Sequence, residues 1–268
     1  MPKGELQLKK IVLTFIVTLI FVAIAGTSVF AKSEIIKVNA DNGTVSINYD
    51  TTNYSDLKVV VKKGSDKYIY NLNSSNEELP LQMGNGDYTV GIYQRVDGNK
   101  YKLLTSDKVH IESTKYAVFL ASVQNVQWTS NSKAAILAEK ITKDAKTDRE
   151  KIEAIYNYII DNVNYDNEKA KDVSSRYLPS TSETLASQKG ICYDYASLFA
   201  AMLRSLDIPT KLVHGESNFT SVYHAWNEVL VDNEWIVVDT TIDSAYKSEG
   251  IQVAYQKKPS DYNAKKVF

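Results

Sequence analysis

The chain has 268 residues, 44% of them hydrophobic and 24% charged, with a formal net charge of -1. That size and balance fit one large globular domain or two modest ones, and the near-neutral charge excludes the basic field that a nucleic-acid partner requires. One cysteine and three histidines exclude a disulfide framework and are too few for a metal cluster, so neither a metal nor another cofactor is expected.

The first element in chain order is a targeting signal. Lys9 and Lys10 precede an apolar stretch from Ile11 to Ala25, and Val29-Phe30-Ala31 forms a small-x-small ending. This pattern reads as a secretory signal peptide over residues 1–31, cleaved after Ala31 to leave Lys32 first, with an uncleaved anchor as the alternative. The expected location is extracellular or cell-surface, with no stable membrane contact after cleavage. In an exported protein, a single cysteine is either a buried inert thiol or a reactive one.

From about residue 33 to 112 the pattern is strand-like. Val45, Ile47 and Tyr49 alternate with polar residues, as do Tyr88, Val90 and Ile92, and turn signals at Asp41-Asn42-Gly43, Asn85-Gly86 and Asp97-Gly98-Asn99 punctuate the runs. Short strands at this spacing predict a β-sandwich, immunoglobulin-like, over residues 32–115. No chemistry is visible in it, and His110 reads as a surface or edge residue.

Helical signals begin after Tyr116, so a second domain is expected over residues 116–268. Thr147 and Glu150 have capping-box spacing ahead of the stripe Ile152, Ile155, Ile159 and Val163. Ser180 and Glu183 open a short helix expected to stop near Gly190. A helix is predicted from Cys192 to Leu206, ended by Ile208-Pro209. Strands are predicted at Lys211–His214, Val222–Val231 and Glu234–Thr240. The fold class is therefore α+β, with helices first and an antiparallel sheet after.

Cys192 falls on the first turn of a buried helix, where unpaired N–H groups and the helix dipole favour a thiolate. A space-filling cysteine would suit the same position. Asp232-Asn233 is a natural two-residue turn. Pairing Val231 with Glu234 sets His224 opposite Thr241 and Asp239 opposite Trp226, so imidazole and carboxylate share a face as diagonal neighbours. A base beside a thiol can hold it as thiolate with imidazolium, and a buried carboxylate can orient the ring. The three candidate catalytic residues are thus Cys192, His224 and Asp239, acting through a thioester.

The segments Lys189-Gly190-Ile191-Cys192-Tyr193-Asp194-Tyr195-Ala196, Asp207-Ile208-Pro209, Tyr223-His224-Ala225-Trp226 and Glu234-Trp235-Ile236-Val237-Val238-Asp239 resemble the transglutaminase-like superfamily. Val163-Asn164-Tyr165-Asp166 resembles the region that precedes that family's cysteine helix. The resemblance spans roughly residues 125–245. It implies a papain-like, cysteine-proteinase fold with a nucleophile helix packed on an antiparallel sheet, Cys192 as nucleophile, His224 as base and Asp239 as orienting acid. It also implies a peptidase, amidase or transglutaminase type of chemistry on a protein, peptide or cell-wall peptide. The competing reading is a non-catalytic surface-binding or scaffold protein that kept the fold.

Several neighbours take plainer roles. Asp194 complements the helix dipole rather than acting as a second acid. His214 reads as structural or rim, Trp226 and Trp235 as core, and Tyr165 as a possible oxyanion donor beside the Cys192 N–H.

Overall fold

The computed structural model describes residues 20–22 and 35–268. The expected signal segment and its cleavage point lie outside the described residues, apart from Ile20–Val22. Among the described residues no helix is long and apolar enough to cross a membrane.

The first part of the chain is all strand. β1 (Ile20–Val22) runs parallel to β8 (Lys100–Ile111), which is followed in the same sheet by β7 (Gly86–Asp97), β4 (Leu57–Lys63) and β5 (Asp66–Asn71). A second sheet orders β2 (Ile36–Asn39), β3 (Thr44–Asn48) and β6 (Asn76–Pro80). The period-two alternation seen in the sequence explains why the sheets share a core. Val45 and Ile47, Val59 and Val61, and Tyr88, Val90 and Ile92 are all buried in one cluster. His110 lies exposed on β8, its Nδ1 2.6 Å from Asp87.

After a stretch without long elements come α1 (Lys133–Ile141), α2 (Asp148–Asn162), β9 (Asn164–Tyr165), α3 (Asn167–Lys171), α4 (Thr181–Ser187), β10 (Lys189–Gly190) and α5 (Cys192–Arg204). Both predicted caps form. The Thr147 and Glu150 side chains bond reciprocally at the start of α2, and Ser180 accepts from the Glu183 N–H at the start of α4. Helix α4 stops three residues before Gly190, with its C-cap Gln188 in the left-handed region at φ 53°.

The remaining strands β11 (Thr210–Ser217), β12 (Thr220–Val231), β13 (Glu234–Val238), β14 (Gln256–Lys257) and β15 (Tyr262–Val267) form an antiparallel sheet. Its order is β14-β13-β12-β11-β15. The β12–β13 turn has Asp232 at φ 54° and Asn233 at φ 64°, the pair of positive angles that a two-residue hairpin demands. The register Val231↔Glu234 follows.

One expectation fails here. The predicted strand to Thr240 stops at Val238, and residues 240–248 form α6 (Thr240–Ser248). Asp239 is the helix N-cap, its Oδ1 accepting from the Ile242 N–H at 3.2 Å, and Asp243 adds negative charge to the first turn. Asp239 is therefore not paired with Trp226, nor Thr241 with His224.

Helix α5 is the centre of this half. From Asp194 to Arg204 every residue is buried, because α1, α2, α4 and α6 and the β11–β12 face all pack on it. Arg204 survives in the core because its guanidinium donates to the carbonyls of Thr210, Ala121 and Phe268 at 2.9, 2.7 and 3.0 Å. Burial still pulls its pKa down to about 9.

The two parts share packing. Ala196, Ala200, Ala201, Leu212, Ala225 and Phe268 join the cluster built on the N-terminal sheets. Arg176 is a polar rivet across the same junction. Its guanidinium donates to the carbonyls of Tyr54, Ser55 and Leu72 and to Asn73 Oδ1, at 2.7–3.1 Å. Hydrogen bonds from a charged donor contribute about 1.5–3 kcal/mol each, non-additively. Arg176→Ala is expected to destabilise the protein by about 2–4 kcal/mol, with Arg176→Lys recovering part of the loss because one ammonium cannot reach all four acceptors. Urea unfolding with unchanged slope but a lower midpoint is the check.

Candidate active site

The thiol end of the site is fixed by the chain leading into α5. β10 pairs in parallel with β9, Gly190 opposite Tyr165, so the two short strands deliver Cys192 to the first helical position beside Tyr165. The Ile191 N–H donates to Asp194 Oδ2 at 2.9 Å, and the Ile191 carbonyl accepts from the Asp194 and Tyr195 N–H groups. Asp194 is itself buried and also bonded by Lys169 Nζ at 3.2 Å and by the Tyr177 hydroxyl. It is thus a helix-starting carboxylate with its lone pairs spoken for. A Cβ at residue 190 would sit 2.6 Å from the Asp194 Cβ, so only glycine fits there.

His224 lies on β12, opposite Gly215 of β11, and is buried. Its Nε2 is 2.8 Å from Asp239 Oδ2. Asp239 is fully buried and receives three donors: the ring, the Ile242 N–H and, at 3.0 Å, the Tyr262 hydroxyl. Commitment of Nε2 to the carboxylate leaves Nδ1 as the ring nitrogen open to Cys192, whose side chain lines the same cleft and acts electrostatically on the imidazole. Trp226 stacks against the ring at 6.3 Å and 24°, and Tyr262 packs on the indole at 5.0 Å. The structure therefore brings Cys192, His224 and Asp239 together, the last by a helix cap instead of a cross-strand pairing.

The electrostatics favour a charged ring. Burial alone would lower the His224 pKa, but the bonds and charges of Asp239 and Cys192 outweigh it and raise the value to about 10. The other two histidines behave oppositely to one another. His214 is pushed down to about 3, chiefly by burial against Tyr193 and Phe268, while Asp87 and Glu112 raise exposed His110. His214 thus stays neutral and structural, as its place on an apolar strand suggests.

Tyr262 is the participant that sequence reasoning missed. Nothing in its local spacing marks it; only the docking of β15 along β11 carries its hydroxyl to Asp239. Lys169 and Tyr177, the partners of Asp194, were equally silent in the sequence. Trp226 is core, as expected, whereas Trp235 is half-buried at the edge, beneath Lys211 Nζ at 3.8 Å from the ring centroid.

Cys192 and His224 open into a cleft of about 470 Å³, which Tyr165, Val173, Ile191, Val222, Tyr223 and Ile242 also line. Among the described residues no three His, Cys, Asp or Glu side chains converge as a metal site. A thiol and an imidazole facing one cleft, with a buried carboxylate behind the ring, form a set suited to proton transfer and nucleophilic attack.

With the geometry in place, comparison with known proteins places the chain. A family model described as the transglutaminase-like superfamily matches residues 135–240. Human kyphoscoliosis peptidase is 30% identical over 125 residues, covering 43% of this chain and 19% of that protein. The UPF0252 protein MJ1282 of Methanocaldococcus jannaschii is 29% identical over 147 residues, covering 50% of this chain and 42% of its own length. The chain thus spans less than half the length of these curated relatives. Among solved structures, the periplasmic domain of TgpA from Pseudomonas aeruginosa aligns with 79% of this chain and 90% of its own at 12% identity and a TM-score of 0.39.

The raised His224 pKa has a checkable sign. Folding increases the ring's proton affinity, so its contribution to stability is complete below about pH 6.5 and is lost as pH rises through about 10. In an NMR titration, one histidine should remain protonated well above pH 7. Asp239→Asn should lower that midpoint by removing the facing charge, and Tyr262→Phe should shift it far less.

Proposed function

We propose that this chain, whose residues 135–240 belong to the transglutaminase-like superfamily, is an exported thiol enzyme that opens amide bonds through a thioester on Cys192. The observation that carries the proposal is the committed Nε2 of His224. With Asp239 holding that nitrogen at 2.8 Å, Nδ1 is left to trade a proton with the thiol.

The steps follow from the geometry. In the resting couple the thiol proton already sits on the His224 ring, and the thiolate adds to the amide carbonyl carbon, forming a C–S bond as the carbonyl π pair moves onto oxygen. The C–N bond then breaks as the imidazolium gives its proton to the departing amine. Water or a second amine attacks the thioester and loses its proton to His224, and the C–S bond breaks to restore the thiolate. Water gives hydrolysis; an amine gives transamidation. Asp239 keeps the ring oriented and stabilises its charge. The Cys192 N–H, which at the first helical position has no intrahelical acceptor, and the Tyr165 hydroxyl are the donors at hand for the oxyanion.

Two wider readings belong to the proposal. The signal-like N-terminus supports an extracellular or cell-surface setting, with a protein, peptide or cell-wall peptide as substrate. The strand orders β2-β3-β6 and β8-β7-β4-β5 support an immunoglobulin-like sandwich over residues 32–115, ahead of a catalytic domain over residues 116–268. In this arrangement the sandwich buttresses the thiol domain and carries none of the reacting groups.

The test combines reactivity with product analysis. Iodoacetamide should alkylate Cys192 readily at pH 6, and His224→Ala should slow that reaction by at least tenfold because the thiolate loses its cation. Asp239→Asn should slow it less. Peptides and wall fragments incubated with and without added amines, followed by mass spectrometry, should give products that vanish in Cys192→Ala. Turnover should fall by about 10²–10⁴ in His224→Ala. Equal, slow alkylation of wild type and His224→Ala would make Cys192 a packing residue and hand the lead to the scaffold reading.

A further inference from the structure

The walls of the thiol cleft carry a selectivity that the catalytic residues do not. Strongly exposed large hydrophobic side chains are few among the described residues. Four of them line this one cleft: Val222 at 61%, Tyr223 at 56%, Val173 at 42% and Tyr165 at 40% exposure. Phe219, at 37%, lies at the tip of the same β11–β12 hairpin. No Lys, Arg, Asp or Glu lines the cleft. Apolar side chains gathered in one concave place and left bare mark a surface that is covered in use.

The sheet supplies the orientation. β13 pairs only with Asn227–Val231 of β12, so among the described residues the stretch from Thr220 to Trp226, which carries Val222, Tyr223 and His224, has no strand beside it on that side. A strand without a neighbour offers backbone donors and acceptors to an extended chain. Tyr165, on β9, and Val173, after α3, line the same cleft from outside that sheet.

From these observations we infer that the cleft binds an extended, uncharged peptide segment of a protein, with bulky apolar side chains flanking the amide presented to Cys192. This inference rests on the proposed thiol chemistry for its setting, and names the substrate class of that site. Beyond the His224–Cys192 couple itself, charged peptides and sugar-bearing wall fragments find no ionic partner on these walls and would leave their charges desolvated against valine and tyrosine. An apolar side chain instead gains from removal of both its own surface and that of the wall from water.

The experiment separates binding from chemistry. Fluorescent peptides of one length, differing only beside the central amide (Phe, Leu, Ser, Glu or Lys), and wall stem-peptide fragments are titrated against Cys192→Ala protein. Phe and Leu peptides are expected to bind at least about tenfold more tightly than Glu or Lys peptides. Val222→Asn and Tyr223→Asn, each made in that background, should cut this ratio several-fold. Val173→Asn, outside every strand, should do the same without touching the sheet, and thermal melts confirm that each variant is folded. A flat ratio, tighter binding of charged peptides or wall fragments, or a ratio indifferent to all three substitutions would overturn the inference. Wild-type turnover is read in parallel. Apolar-selective binding with no Cys192-dependent product would sustain the cleft's selectivity while overturning the thiol chemistry.

Discussion

A carboxylate with no exposure to solvent must be satisfied by donors, and Asp239 is such a group. Leaving it unpaired would cost several kcal/mol, so the surroundings are constrained to supply partners. Three structural elements meet that demand at once. The first turn of α6 gives the Ile242 N–H, β12 gives the His224 ring, and β15, arriving from the far end of the sheet, gives the Tyr262 hydroxyl. The end of β13, the start of a helix and the path of the last strand are thereby tied to one point. The same bond that resolves the burial of the acid also fixes which ring nitrogen faces Cys192. Gly215 belongs to this constraint, because a Cβ there would lie 2.2 Å from the Asn263 carbonyl oxygen and 2.8 Å from Trp226. Any larger residue would push β15, and with it Tyr262, away from the site.

The nucleophile's side is governed by a second buried acid with a different task. Asp194 satisfies the Ile191 N–H, offsets the dipole of α5 and takes Lys169 and Tyr177 as partners. All its bonds are internal to the protein, which leaves Cys192 two residues earlier as the group facing the cleft. The pair of acids thus divides by environment. Asp239 lies against the imidazole and shapes its protonation; Asp194 shapes the backbone that presents the thiol.

Legibility from sequence followed the range of the interaction. Local signals were readable: the hairpin at Asp232-Asn233, the capping pairs Thr147–Glu150 and Ser180–Glu183, and the cysteine-led helix all depend on neighbours within a few residues. The proximity of His224 and Asp239 was also readable, though by the wrong construction, since strand parity was extended beyond the point where β13 ends. The sequence Asp239-Thr240-Thr241-Ile242-Asp243 contains a usable N-cap, and the β-branched run before it masked the signal. Tyr262, Lys169 and Tyr177 were out of reach because their contacts span from 8 to 25 residues and arise only once strands and helices have docked. The apolar cleft walls were hidden for a similar reason, since Val173 and Val222, far apart in sequence, come to line one cleft only in three dimensions.

The remaining requirement is that thiol and imidazole keep their separation, although they belong to a helix and a strand that could slide past each other. Asn227 ties them together. Three positions after His224 on β12, its Nδ2 donates to the Ala196 carbonyl of α5 at 3.0 Å and to the Lys211 carbonyl of β11 at 3.1 Å. Ala196 is one turn from Cys192, so this amide pins the nucleophile's turn to the strand that carries the base. The small side chains of Ala196, Ala200 and Ala201 let helix and sheets approach closely, and the N-terminal core closes over them with Leu212 and Ala225. Dense packing resists shear because any displacement opens voids without partner atoms. The N-terminal strands, which hold none of the candidate catalytic groups, therefore act on the site through the rigidity of α5. In this sense a polar tether sets the spacing of the couple, and the shared core of the two halves maintains it.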